Sequence, residues 1–397
     1  MNKDISMTAD ADQRLYALWQ EVDLPERAYE LALRRYEDLG EWLARPQSRL
    51  TAYDTHVFVQ GSFAFGTPIR PVIEGEEFDL DFSCKLRSGI SRQTHTQKQL
   101  KRLVGDELAD YRTARGIQKP LTEKNRCWRL GYKDELPFHM DVVPGIRADD
   151  ARRRVLSEAM QVAGIDAQLA QEVARRALWI TDMQHSHYAQ ISDDWPSSNP
   201  GGYQLWFLSR MHGGVKRYLA EAQVDPAPVY RSKTPLQQVV QLLKRHRDVM
   251  FQDDSDRKPV SIILTTVAGG AYIAGESLSQ TMRRVLQAMD VVRRSNTDFI
   301  PNPVNPAENF ADRWTRPDCT HLQLKANFHR WIGEAMRDFG KILDGTDPRQ
   351  VVESAEDALK LTLQEAVRRR LGVIVGTPAI VRSVQLQGEP TRPWAHW

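Results

Sequence analysis

The segment EFDLDFS at residues 77–83 alternates large apolar side chains with acidic and polar ones. Positions 78, 80 and 82 are apolar, and Asp79, Asp81 and Ser83 lie between or beside them. Successive side chains of a strand point to opposite faces, so this pattern predicts a strand with one face buried in a core. Asp79 and Asp81 then lie side by side on the other face, where their charges repel.

A second segment, FHMDVVPG at residues 138–145, has the same alternation and offers a third carboxylate, Asp141. Clustered carboxylates raise one another's pKa, and a divalent cation removes that conflict. Ligand sets made only of oxygen favour Mg²⁺ or Mn²⁺, and two such ions roughly 3.5–4 Å apart promote displacement at phosphorus. We therefore predict that Asp79, Asp81 and Asp141 bind metal.

Gly61 and Ser62 precede the Asp-x-Asp strand and follow a short β-branched and aromatic run. A turn without a side chain at Gly61 lets backbone N–H groups approach a phosphate, and the Ser62 hydroxyl is a further donor. Taken singly, Asp-x-Asp can be a solvated strand face and Gly-Ser an ordinary turn. The combination with a third aspartate favours a functional site.

Hydrophobic periodicity divides the chain into an α+β part and a later helical part. The predicted domains are an N-terminal helical segment (1–50), a nucleotide-binding core (51–195), a helical lobe (196–375) and a loosely held tail (376–397). In the first half we predict a helix at Leu24–Leu43, strands at His56–Gln60, Phe78–Lys85, Cys127–Lys133 and Phe138–Val143, and a helix at Thr94–Arg115. A loop is predicted at Met183–Gly202, followed by helices at Tyr203–Ala222, Leu236–Met250, Pro259–Ile273 and Leu278–Arg294 and around Trp331 and Leu361.

The composition is that of a globular protein, with 41% hydrophobic and 27% charged residues among 397. No signal peptide or membrane span is predicted, so a cytoplasmic location is expected. A net charge of +2 gives no reason to predict strong nucleic-acid binding. The three cysteines are expected to be buried thiols, and His185 and His187 to be unliganded surface residues.

The pattern of Gly61, Ser62, Asp79, Asp81 and Asp141 resembles the DNA polymerase β-like nucleotidyltransferases. Three later segments, QLLKRHRDVMF, PVSIILTTVAGGAY and IPNPVNPAENFADRW, narrow the resemblance to the cGAS/DncV-like nucleotidyltransferases (CD-NTases). These are the bacterial cyclic-oligonucleotide synthases of CBASS anti-phage systems. The resemblance covers roughly residues 20–335.

This resemblance implies a bilobed α+β fold, with a mixed-sheet nucleotidyltransferase core, a helical C-terminal lobe and an active site in the cleft. It implies that Asp79 and Asp81 bind two Mg²⁺ ions, for which Mn²⁺ can substitute. Asp141 would complete the site of the ion that activates the attacking ribose hydroxyl. The expected reaction joins nucleoside triphosphates, ATP among them, into a cyclic di- or trinucleotide and releases pyrophosphate. That product would signal to a separate effector protein.

The resemblance also assigns nucleotide contacts to Gln60, Lys244 and Ser261, the last two toward a triphosphate. Each has a plainer alternative. Lys244 lies four residues before Asp248, the spacing of a surface ion pair on a helix. Ser261 follows Pro259 and could terminate or cap a helix. His139, beside the third carboxylate, is predicted to be a structural neighbour and not a base.

Two rival functions remain at this point. A linear RNA-tailing or 2′-5′ oligonucleotide-forming transferase would use the same carboxylates on another acceptor. A nucleotide-binding interaction protein would keep the fold without catalysis. The presence of all three aspartates argues against the second rival, since an inactive site gains nothing from clustered like charges.

Overall fold

A computed structural model of the chain describes residues 2–73, 75–132, 138–213, 224–228, 230 and 232–373. The tail predicted at 376–397, residues 214–222 of the helix predicted from Tyr203, and Lys133 lie outside the described residues. The α-helices are α1 (Asn2–Val22), α2 (Glu26–Ala44), α3 (Gly61–Phe65), α4 (Gln97–Ala114), α5 (Asp150–Val162), α6 (Ala167–Arg175), α7 (Pro200–His212), α8 (Pro235–Met250), α9 (Ser261–Ala271), α10 (Leu278–Ser295), α11 (Leu324–Asp344), α12 (Pro348–Leu359) and α13 (Glu365–Arg370). The strands are β1 (Thr55–Val59), β2 (Phe78–Leu86), β3 (Thr122–Glu123), β4 (Trp128–Gly131), β5 (Phe138–Arg147), β6 (Leu178–Ile180), β7 (Ser197–Ser198), β8 (Pro301–Asn302) and β9 (Asn305–Asn309).

The larger sheet is mixed, which confirms the predicted α+β class with a helical second half. Its strand order is β1-β2-β5-β4-β3, and β6 and β7 extend it from the far end of β5. β2 and β5 are parallel, whereas β1 pairs with β2 and β4 pairs with β5 in the antiparallel sense. β2 and β5 are therefore the central pair, and their registration decides which side chains meet.

The inner face of this sheet carries the predicted apolar residues. Leu80, Phe82, Met140 and Val142 are at most 2% exposed. The ring of Tyr36, from α2, packs edge-on against Phe82 with 5.9 Å between centroids. This apolar anchoring leaves the opposite face of β2 and β5 for polar side chains.

The N-terminal region forms two helices where the periodicity predicted one. α2 closely matches the predicted helix at Leu24–Leu43, and α1 precedes it. The chain breaks at Pro25 because the residue before a proline is disfavoured in the helical conformation. α1 packs against α8, α10 and α11 of the helical lobe, and α2 packs against β1 of the sheet.

Helix α8 joins the two lobes through a polar face. Its side chains donate to backbone carbonyls at the end of α3 and in the loop that follows it: Gln237 to Phe65 (2.9 Å), Gln241 to Pro68 (2.5 Å), Lys244 to Thr67 (3.0 Å) and Arg245 to Pro71 (2.8 Å). The loop after α3 runs over the surface of α8 and could not pair these carbonyls with a sheet. Side chains of α8 therefore replace the missing backbone partners.

The loop predicted at Met183–Gly202 ends earlier than expected, because α7 begins at Pro200. Asn199 caps that helix by accepting from the backbone N–H of Gly202 at 3.0 Å. Proline suits a first helical position, so the Asn-Pro-Gly-Gly sequence starts a helix here although its composition is typical of a loop. Cys84 and Cys319 are buried and Cys127 is half-buried, all three as free thiols. Within the described part of the chain, every helix is too short or too polar to cross a membrane.

Candidate active site

The three predicted carboxylates lie on the polar face of the central strand pair. Asp81 on β2 is directly opposite Asp141 on β5, and Asp79 is two residues before Asp81 on the same face. Parallel pairing fixes this registration over the whole of β2, so the two aspartates from separate strands face each other across one ladder. The structure thus brings together Asp79, Asp81 and Asp141.

The three carboxylates differ in how their charge is balanced. Arg129, opposite Asp141 on β4, donates from Nε and Nη2 to the two oxygens of Asp141 at 2.7 and 2.6 Å. Asp81 has no such partner among the described residues. Burial, together with the charges of Asp79 and Asp141, raises its pKa well above the ordinary range. At neutral pH the ionised form of Asp81 therefore needs a cation.

His139 lies between two acidic groups at the edge of this cluster. Its Nδ1 is 3.0 Å from Glu77 and its Nε2 is 3.1 Å from Asp79. Burial lowers its pKa, but the hydrogen bond to Asp79 and the charge of that carboxylate outweigh burial, and the net shift is upward. These contacts agree with the prediction that His139 is a structural neighbour of the third carboxylate and not a base.

The turn at Gly61 brings the backbone against Asp81. Gly61 has a φ of +64°, and a Cβ placed on it would lie 2.5 Å from Oδ2 of Asp81. A side chain at this position would occupy the space beside the carboxylate, and the left-handed backbone favours glycine. Gln60 and Ser62 flank the turn. Gln60 accepts from Ser83 of β2 at 2.9 Å, which ties the turn to the strand of the aspartates.

A cavity of about 490 Å³ opens on one side of the aspartates and is cationic on its far wall. Gly61, Ser62, Asp79 and Asp81 line it from the sheet. Helices α8 and α9 contribute groups suited to phosphate: Lys244, Arg247 and Ser261, with Lys258 from the connection between them. This cavity therefore has acidic groups on one wall and basic and hydroxyl groups on the opposite wall, across a cleft between the lobes.

Lys244 does not form the surface ion pair that was its plainer alternative. It is 7% exposed, and its Nζ donates to the carbonyl of Thr67 at 3.0 Å. Burial and the neighbouring charge of Arg247 lower its pKa to about 7. Asp248 instead pairs with Arg247 at 2.6 Å and Lys258 at 3.2 Å.

Ser261 does not cap α9 either. The residue at the cap position is Val260, which makes no side-chain capping bond. The Ser261 hydroxyl accepts from Nη1 of Arg247 at 2.6 Å. The serine and the arginine thus form one hydrogen-bonded pair on the cavity wall.

A second cavity, of about 300 Å³, adjoins the first. Both cavities are lined by Gly61, Phe65, Asp81 and Ile262. The remaining walls come from Gln60, Ser198, Asn199, Pro200, Tyr203, Asn302, Glu308 and Phe310. None of these lining residues is basic, so the second cavity suits an uncharged or donor-rich group and not a triphosphate.

The carboxylate cluster fits a divalent cation by its chemistry. Atoms of Asp79, His139 and Asp141 that could act as ligands lie within 4.8 Å of one another. The raised pKa of Asp81 and the open space beside Gly61 mark a place where positive charge is lacking. The carboxylate oxygens of Asp79 and Asp141 are of the kind that Mg²⁺ and Mn²⁺ prefer, and His139 adds a nitrogen to the same group.

A second group of possible ligands lies in the loop before β7. His185 and His187 are each 3.5 Å from a carboxylate oxygen of Asp194. The backbone N–H of His187 donates to Nδ1 of His185 at 3.2 Å, so neutral His185 carries its proton on Nε2, facing Asp194. Hydrogen bonds within the group account for this geometry.

Sequence reasoning missed several residues of the site. Arg129, which pairs with Asp141, and Glu308, which lines the second cavity, belong to no local motif. Arg129 reaches the site through the pairing of β4 with β5, and Glu308 through a hairpin of the helical lobe. Lys258 and Arg247 lie close in sequence to predicted residues. Their Arg/Lys identity beside a predicted phosphate site was the one available signal.

One part of the chain matches a known family. Residues 55–144 match the family described as "Cyclic GMP-AMP synthase DncV-like, nucleotidyltransferase domain". This range begins at β1 and includes the Gly-Ser turn and all three aspartates.

Relatives extend the similarity beyond that domain. The chain is 30% identical over 287 residues to the c-di-GMP synthase of Roseivirga ehrenbergii, an alignment of 70% of this chain and 66% of the relative, just under two thirds of its length. It is 23% identical over 337 residues to the cyclic dinucleotide synthase CdnG of Bradyrhizobium diazoefficiens, covering 78% and 71%. The solved structure of that CdnG in complex with GTP has a TM-score of 0.62 at 20% identity, covering 91% of this chain and 98% of the other. The fold is therefore shared along nearly the whole chain.

Proposed function

Since this chain belongs to the DncV-like nucleotidyltransferases, the CD-NTase family, we propose that it is a metal-dependent cyclic dinucleotide synthase. The observation that carries the proposal is the position of Asp81. It lies where a cavity that has Lys244, Arg247 and Lys258 on one wall meets a cavity without basic lining residues, so two nucleotides can meet at one carboxylate cluster.

The two cavities suit the two partners of a phosphoryl transfer. Lys244, Arg247, Lys258 and Ser261 support a triphosphate in the larger cavity, because ammonium, guanidinium and hydroxyl groups all donate to phosphate oxygens. The smaller cavity suits the base and ribose of a second nucleotide. Its ribose hydroxyl loses a proton and bonds to the α-phosphorus of the first nucleotide, and the bond to the leaving pyrophosphate breaks. A second transfer of the same kind closes the ring.

We propose that Asp79, Asp81 and Asp141 hold two Mg²⁺ ions, which Mn²⁺ can replace. When bound, such ions stabilise charge on the attacking and leaving oxygens. Arg129 pairs with both oxygens of Asp141 and orients it, and Gly61 leaves the space that a phosphate needs next to Asp81. Gln60 and Ser62 position this turn and are proposed nucleotide contacts.

The biological part of the proposal rests on the family. The product would act as a second messenger for a separate effector in bacterial anti-phage defence of the CBASS type, in the cytoplasm. The Roseivirga and Bradyrhizobium relatives are named for cyclic dinucleotide synthesis, and the Bradyrhizobium protein is solved with GTP. Ribonucleoside triphosphates, ATP and GTP among them, are the proposed substrates.

Pyrophosphate release tests the proposal and separates it from RNA tailing. The full chain is incubated with the four ribonucleoside triphosphates, with Mg²⁺ or with EDTA, and with or without an RNA acceptor. We expect Mg²⁺-dependent release that needs no RNA and that Asp79→Asn reduces at least about 100-fold. Release that requires RNA would favour the tailing transferase. Release that is unaffected by Asp79→Asn would contradict the assigned carboxylates.

A further inference from the structure

We propose that Glu308 selects guanine as the base held in the smaller cavity. The inference rests on the proposed function, since it assigns the smaller cavity to a nucleotide. It goes further by naming the base and the residue that recognises it.

Glu308 reaches the cavity on a short hairpin. Strands β8 and β9 pair in the antiparallel sense, and β9 packs against α5 of the nucleotidyltransferase core. The hairpin therefore extends from the helical lobe across to the other lobe. This placement brings Glu308 to the wall that also contains Asn302 and Phe310.

Two amides orient the Glu308 carboxylate. Asn302, which is 6% exposed, donates from Nδ2 to Oε2 of Glu308 at 2.7 Å, and its own Oδ1 accepts from the backbone of Val304 at 2.9 Å. Asn305 also donates to Oε2, at 3.3 Å. No described residue donates to Oε1, so one oxygen of an oriented carboxylate is left for a ligand.

Of the four ribonucleotide bases, guanine is complementary to such a carboxylate. Its N1–H and exocyclic N2–H₂ are neighbouring donors on one edge, so both can donate to the two lone pairs of the single free oxygen, Oε1. Adenine and cytosine present a ring nitrogen acceptor beside their amino group, so one carboxylate oxygen would face a lone pair. Uracil presents one N–H between two carbonyl oxygens.

The other walls suit a flat aromatic base. Tyr203 and Phe310 form an edge-on pair with 6.1 Å between ring centroids, and both line the cavity with Ile262. The Tyr203 hydroxyl is hydrogen-bonded to Thr266 at 2.9 Å, which occupies one of its hydrogen-bonding positions. Apolar and aromatic walls together with a few polar groups are typical of a small-molecule site.

Binding of nucleoside monophosphates tests the inference without requiring turnover. GMP, IMP and AMP are titrated into the full chain and into Glu308→Gln, with calorimetry as the readout. IMP lacks the N2 amino group and otherwise keeps the shape of GMP. We expect the wild-type chain to bind GMP about 10-fold more tightly than IMP or AMP, and Glu308→Gln to remove most of that preference. The matched control is Glu353→Gln, at an exposed position on α12 that lines neither cavity.

Equal binding of GMP and IMP by the wild-type chain would overturn the inference, and so would an unchanged preference in Glu308→Gln. A change of the same size in Glu353→Gln would also overturn it, since the effect would not be local. Failure of the proposed function looks different. If the chain discriminates GMP through Glu308 but forms no cyclic product, the proposed role of Glu308 stands and the proposed synthase activity is wrong.

Discussion

At the scale of single residues, the ionised carboxylate of Asp81 lowers the stability of the fold, and the same carboxylate is proposed to bind metal in the site. It lies between Asp79 on its own strand and Asp141 on the next, with Gly61 pressed against its side chain. Burial and the two neighbouring charges raise its pKa. A folded pKa above the unfolded one means that folding favours the protonated form. Stability from this group is complete below its ordinary pKa of about 4 and is lost as pH rises through the raised value.

The substitution Asp81→Asn should therefore stabilise the fold while abolishing activity. At pH 8 in EDTA we expect its melting temperature to exceed that of the wild-type chain by about 1 °C or more, because about 1 kcal/mol of repulsion is removed. Mg²⁺ should raise the melting temperature of the wild-type chain and leave that of the variant unchanged. Scanning calorimetry measures both. A lower melting temperature in Asp81→Asn than in the exposed control Asp357→Asn would contradict the account.

A second prediction at the scale of residues follows from the lowered pKa of Lys244, which is about 7. A lysine with a lowered folded pKa contributes stability that grows as pH rises from that value toward its ordinary pKa, about 10.4. A bound triphosphate favours the charged form, so nucleotide binding should take up a proton. Between pH 7.5 and 9 we expect affinity for a non-hydrolysable triphosphate to fall by up to about 10-fold per pH unit.

The Lys244→Met variant separates this residue from other titrating groups. It should bind the analogue more weakly at pH 7.5, and its affinity should vary little with pH. Calorimetry in buffers of different ionisation enthalpy measures the proton uptake directly. Equal pH dependence in the wild-type chain and the variant would show that Lys244 does not face the triphosphate.

At the scale of elements, α8 shows how one helix fixes the position of a loop. The α8 side chain of Gln241 accepts from Nε1 of Trp19 at 2.6 Å and donates to Asp23 at 2.9 Å and to the carbonyl of Pro68 at 2.5 Å. It thus joins α1, the break before α2 and the loop after α3. We expect this loop to place the turn at Gly61 against the cleft.

Gln241→Met keeps the size of the side chain and removes these hydrogen bonds. The free energy of unfolding should fall by about 1–3 kcal/mol for each partner left buried and unpaired. Denaturant unfolding measures the loss, with the exposed substitution Gln171→Met on α6 as the control. A loss within about 0.5 kcal/mol of the control would mean that the loop is held by other contacts.

Local patterns predicted most of these elements. The alternation in EFDLDFS indicated β2, and the periodicity from Leu236 indicated α8, which the structure shows to begin with a capping box at Thr234. The start of α7 was missed because Asn, Pro and Gly favour a loop by composition but here supply a cap and a first turn. Helix α1 was missed because it is recognisable mainly from the helical lobe that it packs against.

At the scale of the molecule, the site is assembled from segments far apart in sequence. Asp141 meets Asp81 only through the registration of β5 on β2, and Arg129 meets Asp141 only through the registration of β4. Glu308 comes from the other lobe on a hairpin. Periodicity can indicate that a residue lies on a strand face, but not which strand lies beside it. The carboxylates could therefore be proposed from the sequence, whereas their partners could not.

The proposed function requires that two nucleotides are joined into a ring at the junction of the two cavities. Mass spectrometry of the products tests it most directly, after the full chain has reacted with all four ribonucleoside triphosphates and Mg²⁺ and after phosphatase has removed terminal phosphates. We expect a phosphatase-resistant species with the mass of a cyclic dinucleotide, which is absent from the reaction of Asp79→Asn. Linear oligonucleotides alone, or triphosphates that remain unconsumed, would contradict it.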